Sequence, residues 1–283
     1  MAELILTEEE KKVQKLGPII TKDIVPFHID STNINGPCVF KKPDFLPWPG
    51  SYIMLFAHHH GDSIRVAYSD SPERGWKVWD QTILHINDTP GYDHIASPDV
   101  RVEKDRLVVC FHSPYKDGQY SFAAHTDGVS WHIFNDDPLP EFYYRQFTHN
   151  SGFYAITKDK NIGGSLWKWR RTAPIEPAIE KIQSIIPNMR HGCYDDGYWY
   201  FTKIGDAPES ILRCKFGDWD NHEIVLEPSK EFEFGGVIGP SKPGAATNVT
   251  QVRDPYILNE GGSKYLYYTF RGEEGIAVAK LNA

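Results

Sequence analysis

Only 4 cysteines and 3 methionines occur in 283 residues, and no two cysteines form a C-x-x-C pair. Cys38, Cys110, Cys193 and Cys214 each sit alone in an apolar run. That excludes a zinc ribbon or a disulfide framework and predicts buried free thiols. Clustered positive charge is missing too. With 30 Lys+Arg against 38 Asp+Glu, the formal net charge is −8 and no basic run exists. A phosphate-binding face needs grouped Lys/Arg, so nucleic acid is not an expected partner. No apolar run approaches the roughly 18 residues that a membrane-spanning helix requires, so no membrane partner is expected. The segment Met1-Ala2-Glu3-Leu4-Ile5-Leu6-Thr7-Glu8-Glu9-Glu10 is acidic where a secretory leader is basic and then continuously apolar. The expectation is a cytoplasmic chain.

What is plentiful is aromatic. Phe, Trp and Tyr make up 13% of the chain, with 8 Trp and 15 Tyr. Such residues favour strands, and they also form the flat platforms on which sugar rings stack. Helical character is confined to the start. Thr7 followed by Glu10 resembles a capping box and Gly17-Pro18 reads as a stop, which predicts a helical arm over residues 1–18. From residue 19 to 283 the pattern predicts a single all-β domain.

A repeat organises that domain. One unit runs through Ser97-Pro98-Asp99-Val100-Arg101-Val102, then residues 106–112, 119–125 and 130–134. Comparable short strands recur upstream from Gly36-Pro37-Cys38-Val39-Phe40, and downstream from Tyr144-Arg145, His191-Gly192 and Arg253-Asp254-Pro255. Repeats at intervals of roughly 45–60 residues, each a meander of short strands, predict a five-bladed β-propeller. The last unit lacks an outer strand. Residues 19–28 are placed to supply it and close the ring, which would remove an open sheet edge.

Strands in a blade alternate direction, so the start of each innermost strand and each second-to-third-strand loop share one face. The chemically distinctive residues fall at those two positions. Strand starts carry His94, Asp99, Tyr144-Arg145, Arg190-His191 and Arg253-Asp254; the loops carry His58-His59-His60, His112, Asp206 with Glu209, and Arg271-Gly272-Glu273-Glu274. The turns of the opposite face, such as Glu103-Lys104-Asp105, are plain. Any one of these residues alone reads as a satisfied polar group or a strand cap; it is their convergence that points to a pocket. His58-His59-His60 invites a metal reading. Adjacent residues of an extended chain face opposite sides, so at most two of the three could share a centre. The preferred role is His60 as a hydrogen-bonding group at the hub, with no cofactor and a hub metal ion as the lesser reading.

The blade rhythm and strand starts over residues 30–283 resemble the five-bladed propeller glycoside hydrolases. These are the arabinanase/xylosidase-like family 43 and its relatives, including the neoagarooligosaccharide hydrolases. The resemblance implies a base aspartate on blade one, a tuning aspartate on blade two and a glutamate acid further on. Asp99 matches the second. Asn35-Gly36-Pro37 stands where the base would be, and Tyr144-Arg145 where the acid is common.

The implied function is hydrolysis of a plant, algal or microbial oligosaccharide or polysaccharide. Such cleavage needs one carboxyl to protonate the leaving oxygen and another to act across the sugar. Asp99 and Asp254, both read as strand-start equivalents, are the candidate base and transition-state carboxylates in unassigned order. The acid would be Glu233, desolvated between Phe232 and Phe234, or Glu209. Groups expected to hold the sugar are His60, His94, His112, Arg145, His191 and Arg253. Two other readings stand beside this one. A polysaccharide lyase would use Tyr144, His94, His191 and Arg145, and a lectin-like propeller would bind sugar without turnover.

Overall fold

The computed structural model describes residues 13–134, 137–160, 163–170 and 178–282. Five four-stranded antiparallel sheets form a ring. Blade one is β2 (Asn35–Lys41), β3 (Tyr52–Ala57), β4 (Ser63–Ser69) and β5 (Lys77–His85). Blade two is β6 (Ala96–Val102), β7 (Leu107–Tyr115), β8 (Gly118–Thr126) and β9 (Trp131–Ile133). Blade three is β10 (Phe142–His149), β11 (Gly152–Lys158), β12 (Gly163–Arg170) and β13 (Ala178–Pro187). Blade four is β14 (Met189–Asp195), β15 (Tyr198–Lys203), β16 (Ile211–Lys215) and β17 (His222–Leu226). Blade five takes β18 (Val252–Glu260), β19 (Ser263–Phe270) and β20 (Gly275–Leu281), with β1 (Val13–Thr21) as its outer strand.

β1 corrects one expectation. Residues 13–18 are strand and not helix, and residues 1–12 of the expected helical arm lie outside those described. Val13 pairs with Leu281 and Thr21 with Gly275, so the ring-closing strand begins earlier than residue 19. Among the described residues there is no α-helix, only single 3-10 turns at Lys22–Ile24 and Ile86–Asp88. Among the described residues no helix is long and apolar enough to cross a membrane.

Burial explains the sequence pattern. β3, Tyr-Ile-Met-Leu-Phe-Ala, is buried at every position, because both of its faces meet neighbouring blades. The outer strand β17 is exposed over its first three residues. Apolar runs therefore mark inner strands, and mixed ones mark the rim. Apolar clusters fill the junctions between blades. Leu55, Val66 and Phe111 with Phe122 join blades one and two. Ile20, Phe56, Tyr267 and Val278 join five and one, and Ile156, Leu166, Trp199 and Phe201 join three and four. Each large side chain so enclosed contributes on the order of 1.5–3 kcal/mol. The four cysteines are free and buried, as the sequence predicts. Around the axis, β2, β6, β10, β14 and β18 each touch the next, and β18 returns to β2.

Candidate active site at the mouth of the propeller channel

Each innermost strand opens with a bulge against its neighbour. Pairing is interrupted between Asn35 and Cys38, Ala96 and Asp99, Phe142 and Arg145, Met189 and Gly192, and Arg253 and Tyr256. The first bulged residues are therefore equivalent: Gly36, Ser97, Tyr143, Arg190 and Asp254. Four of them are left-handed, with φ of 60° at Gly36, 52° at Ser97, 56° at Tyr143 and 51° at Asp254. That conformation costs a non-glycine residue on the order of 1 kcal/mol, a strain that clusters at functional positions. One step deeper lies a second equivalent set: Cys38, Asp99, Arg145, Gly192 and Tyr256. Asp99 and Asp254 are thus not counterparts, as the sequence suggests. Asp254 matches Ser97, and Asp99 matches Tyr256.

The deeper set is held by charge. Arg145 Nη1 lies 3.1 Å from Asp99 Oδ1, and Gln146 N donates to Asp99 Oδ2 at 3.3 Å. Burial raises the Asp99 carboxyl and Arg145 opposes it. Arg145 also donates to Pro98 O at 2.5 Å and to His191 Nε2 at 3.1 Å. A guanidinium only donates, so His191 accepts at Nε2 and carries its proton on Nδ1. Burial and Arg145 hold His191 well below the usual histidine range, which keeps it neutral. Its Nδ1 has no hydrogen-bond partner among the described residues and lies 4.0 Å from Asp254 Oδ1.

At the mouth, Asp254 is buried and accepts from Gly36 N at 3.3 Å. Burial and the neighbouring Glu273 push its carboxyl up to about 6. Glu273 moves the other way. Burial works against it, but His59, Arg253 and Asn33 hold it down to about 2. The Tyr143 ring packs edge-on against His112 and His191, with centroids 4.8 and 5.2 Å apart, and burial and Asp254 push its phenol upward. Lys158 Nζ lies 5.5 Å from the centre of the Phe142 ring and 5.8 Å from that of Tyr143. Burial and Arg190 bring it down to about 8.

Behind these groups stands a braced network. Arg190 grips Glu209 with two bonds of 2.7 and 2.9 Å, and Arg253 lies 3.3 Å from the same carboxylate and 3.2 Å from Glu273. Asn33 and Asn35 donate to Glu273 at 2.5 and 3.2 Å. Beside the network, His94 Nδ1 meets Asp93 Oδ2 at 2.8 Å, and exposed His60 stands against the His94 ring. A cavity of about 360 Å³ opens on the same face, lined by Tyr92, Pro114, Gln119, Phe142 and Lys160 among others.

Most residues singled out in the sequence meet here: Asp99, Asp254, Glu209, His60, His94, His112, Arg145, His191 and Arg253. Their positions differ in kind. Arg253 and Glu209 are fully buried supports, and no face of either is free for a sugar. Glu233 is elsewhere. It pairs with Lys15 of the outer strand β1 at 2.5 Å and accepts from Tyr268 at 2.7 Å and Ser229 N at 2.5 Å. Its surroundings are therefore polar and not the apolar sandwich expected from Phe232 and Phe234. Tyr144, one of the residues a lyase would use, is buried between blades two and three with Cys110 and Ala155. Sequence reasoning passed over Lys158, Tyr143 and Glu273. Glu273 lay in a flagged loop; Lys158 was signalled only by a charge ending the apolar run Ala155-Ile156-Thr157.

No family model matches the sequence. Among solved structures, a β-1,2-mannobiose phosphorylase from Listeria innocua superposes with TM-score 0.63 at 13% identity, covering 95% of this chain and 96% of that one. A family 43 β-xylosidase/α-arabinofuranosidase from a compost microbial metagenome, bound to xylotriose, gives 0.53 at 12%, covering 88% and 91%. A family 43 enzyme from Xanthomonas citri, also with xylotriose, gives 0.55 at 11%, covering 89% and 88%. The relation to these glycosidases and phosphorylases is one of structure only, a shared five-bladed propeller. In sequence, the uncharacterized protein R118 of Acanthamoeba polyphaga mimivirus is 31% identical over 303 residues, spanning 88% of this chain and 83% of the relative. The chain belongs to the family of that mimivirus protein.

Proposed function

We propose that this chain is a carbohydrate-active enzyme that cleaves an O-glycosidic bond at the channel mouth, with Asp254 as the proton-carrying group. The observation that supports it is the setting of Asp254: a buried carboxyl in a strained bulge, facing His191 and raised by the negative charge of neighbouring Glu273. A glycosidic oxygen leaves poorly until it is protonated. A carboxyl at about 6 keeps a proton on a far larger fraction of molecules near neutrality than an ordinary aspartate does, and is still acidic enough to give it up. After transfer, the His191 Nδ1–H at 4.0 Å is the group that can close on the new carboxylate. Asp99, through Arg145, holds that imidazole in its tautomer. Tyr92 and Phe142 at the adjoining cavity provide rings on which a sugar can stack.

A second reading rests on Lys158. Its ammonium stands over the Phe142 and Tyr143 rings at the mouth, a place from which it can meet an anion beside a bound sugar. That favours phosphorolysis, in which phosphate replaces water as the nucleophile. The neighbours that superpose include enzymes described with mannobiose and with xylotriose. Manno- and xylo-oligosaccharides are therefore the first substrates to offer, each with and without inorganic phosphate. Release of reducing sugar alone identifies hydrolysis; phosphate-dependent release of a sugar phosphate identifies phosphorolysis. Asp254→Asn is expected to lower either rate by about 10²–10⁴-fold. Full activity in that variant, or tight sugar binding without turnover by the wild type, overturns the proposal.

A further inference from the structure

We propose that His60, Asp93 and His94 form a binding site for a single transition-metal dication of the zinc type, at the rim where blade one meets blade two. One donor atom from each residue lies within 4.8 Å of the other two. The His60 and His94 rings meet edge to face with centroids 5.7 Å apart, and His94 Nδ1 is 2.8 Å from Asp93 Oδ2. Tetrahedral or octahedral coordination at about 2.0–2.2 Å needs donors closer than this. His60 is exposed, so its side chain has room to turn toward the other two.

The backbone prepares the site. His60 comes from the loop between β3 and β4, and Asp93 and His94 from the segment entering β6. Those two segments are clipped together, because Ile95 N donates to Gly61 O at 2.9 Å. Within the first loop His60 N donates to His58 Nδ1 at 3.0 Å, which fixes its turn. Asp93 is left-handed, with φ of 70°, a conformation that its short polar side chain tolerates but that still costs energy. The result is a strained carboxylate beside two imidazoles from separate blades.

A second feature points the same way. His112 is buried, its ring lies 5.7 Å from that of His94, and its Nδ1 has no hydrogen-bond partner among the described residues. The His59 ring stacks against that of His94 at 6.4 Å. Four imidazoles and one carboxylate thus share one corner of the face.

The donor set selects the ion. Two imidazole nitrogens and one carboxylate oxygen suit zinc and its first-row neighbours, whereas calcium and magnesium prefer all-oxygen shells. Because His60 and Asp93 are exposed, at least one coordination position faces solvent on the side where the channel opens. This inference does not depend on the glycosidic reading, and its test needs no substrate.

The test uses protein without a polyhistidine tag, stripped with a chelator and titrated calorimetrically with zinc chloride and, in parallel, calcium chloride. Cobalt chloride is added separately to follow visible absorption. The expected result is one zinc or cobalt ion per chain and no calcium binding. Binding should weaken at least about tenfold in His60→Ala and in Asp93→Asn. His132→Ala, in the stacked His125–His132 pair of blade two, should leave it unchanged. No stoichiometric binding by the wild type overturns the site. So does binding equal to wild type in both His60→Ala and Asp93→Asn, or displacement of zinc by equimolar calcium.

Discussion

Asp254 and Glu273 sit in one network yet titrate in opposite directions, which makes stability a readout of the site without any substrate. Asp254 is raised from 3.8 to about 6, so its contribution is fully present below pH 3.8 and is lost as pH rises through about 6. Glu273 is lowered from 4.5 to about 2, so its contribution is present above pH 4.5 and lost as pH falls through about 2. Asp254→Asn keeps an acceptor for Gly36 N and removes only the first effect. It should stabilise the fold by roughly 2 kcal/mol at pH 7.5, with the gain fading toward pH 4. Urea denaturation at the two pH values checks this, and destabilisation at pH 7.5 contradicts the buried-carboxyl picture. Glu209→Gln should behave differently. It leaves the Arg190 and Arg253 guanidiniums buried beside a neutral amide, and the expected loss is about 3–5 kcal/mol in the same assay. At this scale the sequence was legible in part. Asp99, Asp254 and His191 stand out through their convergence, since several polar residues at inner-strand starts of one face point to a pocket where any one alone reads as a strand cap. Glu233 was misleading because its partner, Lys15, lies far away in the chain.

The bulges that open the inner strands carry much of the site, and they are what a sequence pattern conceals. The bulge falls at the same place in both strands and aligns Pro98 with Pro255, so Asp254, before its proline, and Asp99, after its own, are two positions apart although each is an aspartate beside a proline at a strand start. Gly192 shows how tight one bulge is. A Cβ there would lie 2.3 Å from Tyr200 O and 2.7 Å from the Trp199 ring. Gly192→Ala should therefore cost on the order of 1–3 kcal/mol, visible as a lowered melting temperature. A melting temperature equal to wild type would mean that blade four relaxes more freely than its packing suggests. β1 teaches a related lesson. Gly17-Pro18 resembles a helix stop, but Gly17 has φ of 108° and the pairing with β20 shifts at Lys15/Gly17 and Pro18/Ile20. An outermost strand tolerates proline, which lacks the donor that an inner strand would need. Contact with β20, invisible to local propensity, decides the outcome.

At the scale of the whole molecule, the repeat was the most legible feature, because five meanders leave a rhythm that no single strand could. Closure of the ring joins the two ends of that rhythm. β1 completes blade five, Ile20 is buried with Tyr267, Ile276 and Val278, and Lys15 ties the outer strand to the connection between blades four and five through Glu233. Removing residues 1–21 should expose the β20 edge and the apolar junction together. The expected result is loss of a single cooperative thermal transition and concentration-dependent association, read by calorimetry and light scattering. A truncated chain that melted as one monomeric unit would show that closure is dispensable. The pairing of Val13 with Leu281 also has a kinetic side. Strands β2 to β19 can pair with near neighbours, but the contact that completes the ring has the largest sequence separation in the fold. It carries the largest loop entropy and forms late. On the ribosome, the apolar side of blade one, including Phe56 and Met54, must wait exposed until the last strands emerge. The ring is thus a clasp whose slowest motion is its final one, and chaperone demand in the cell should scale with how long that clasp stays open.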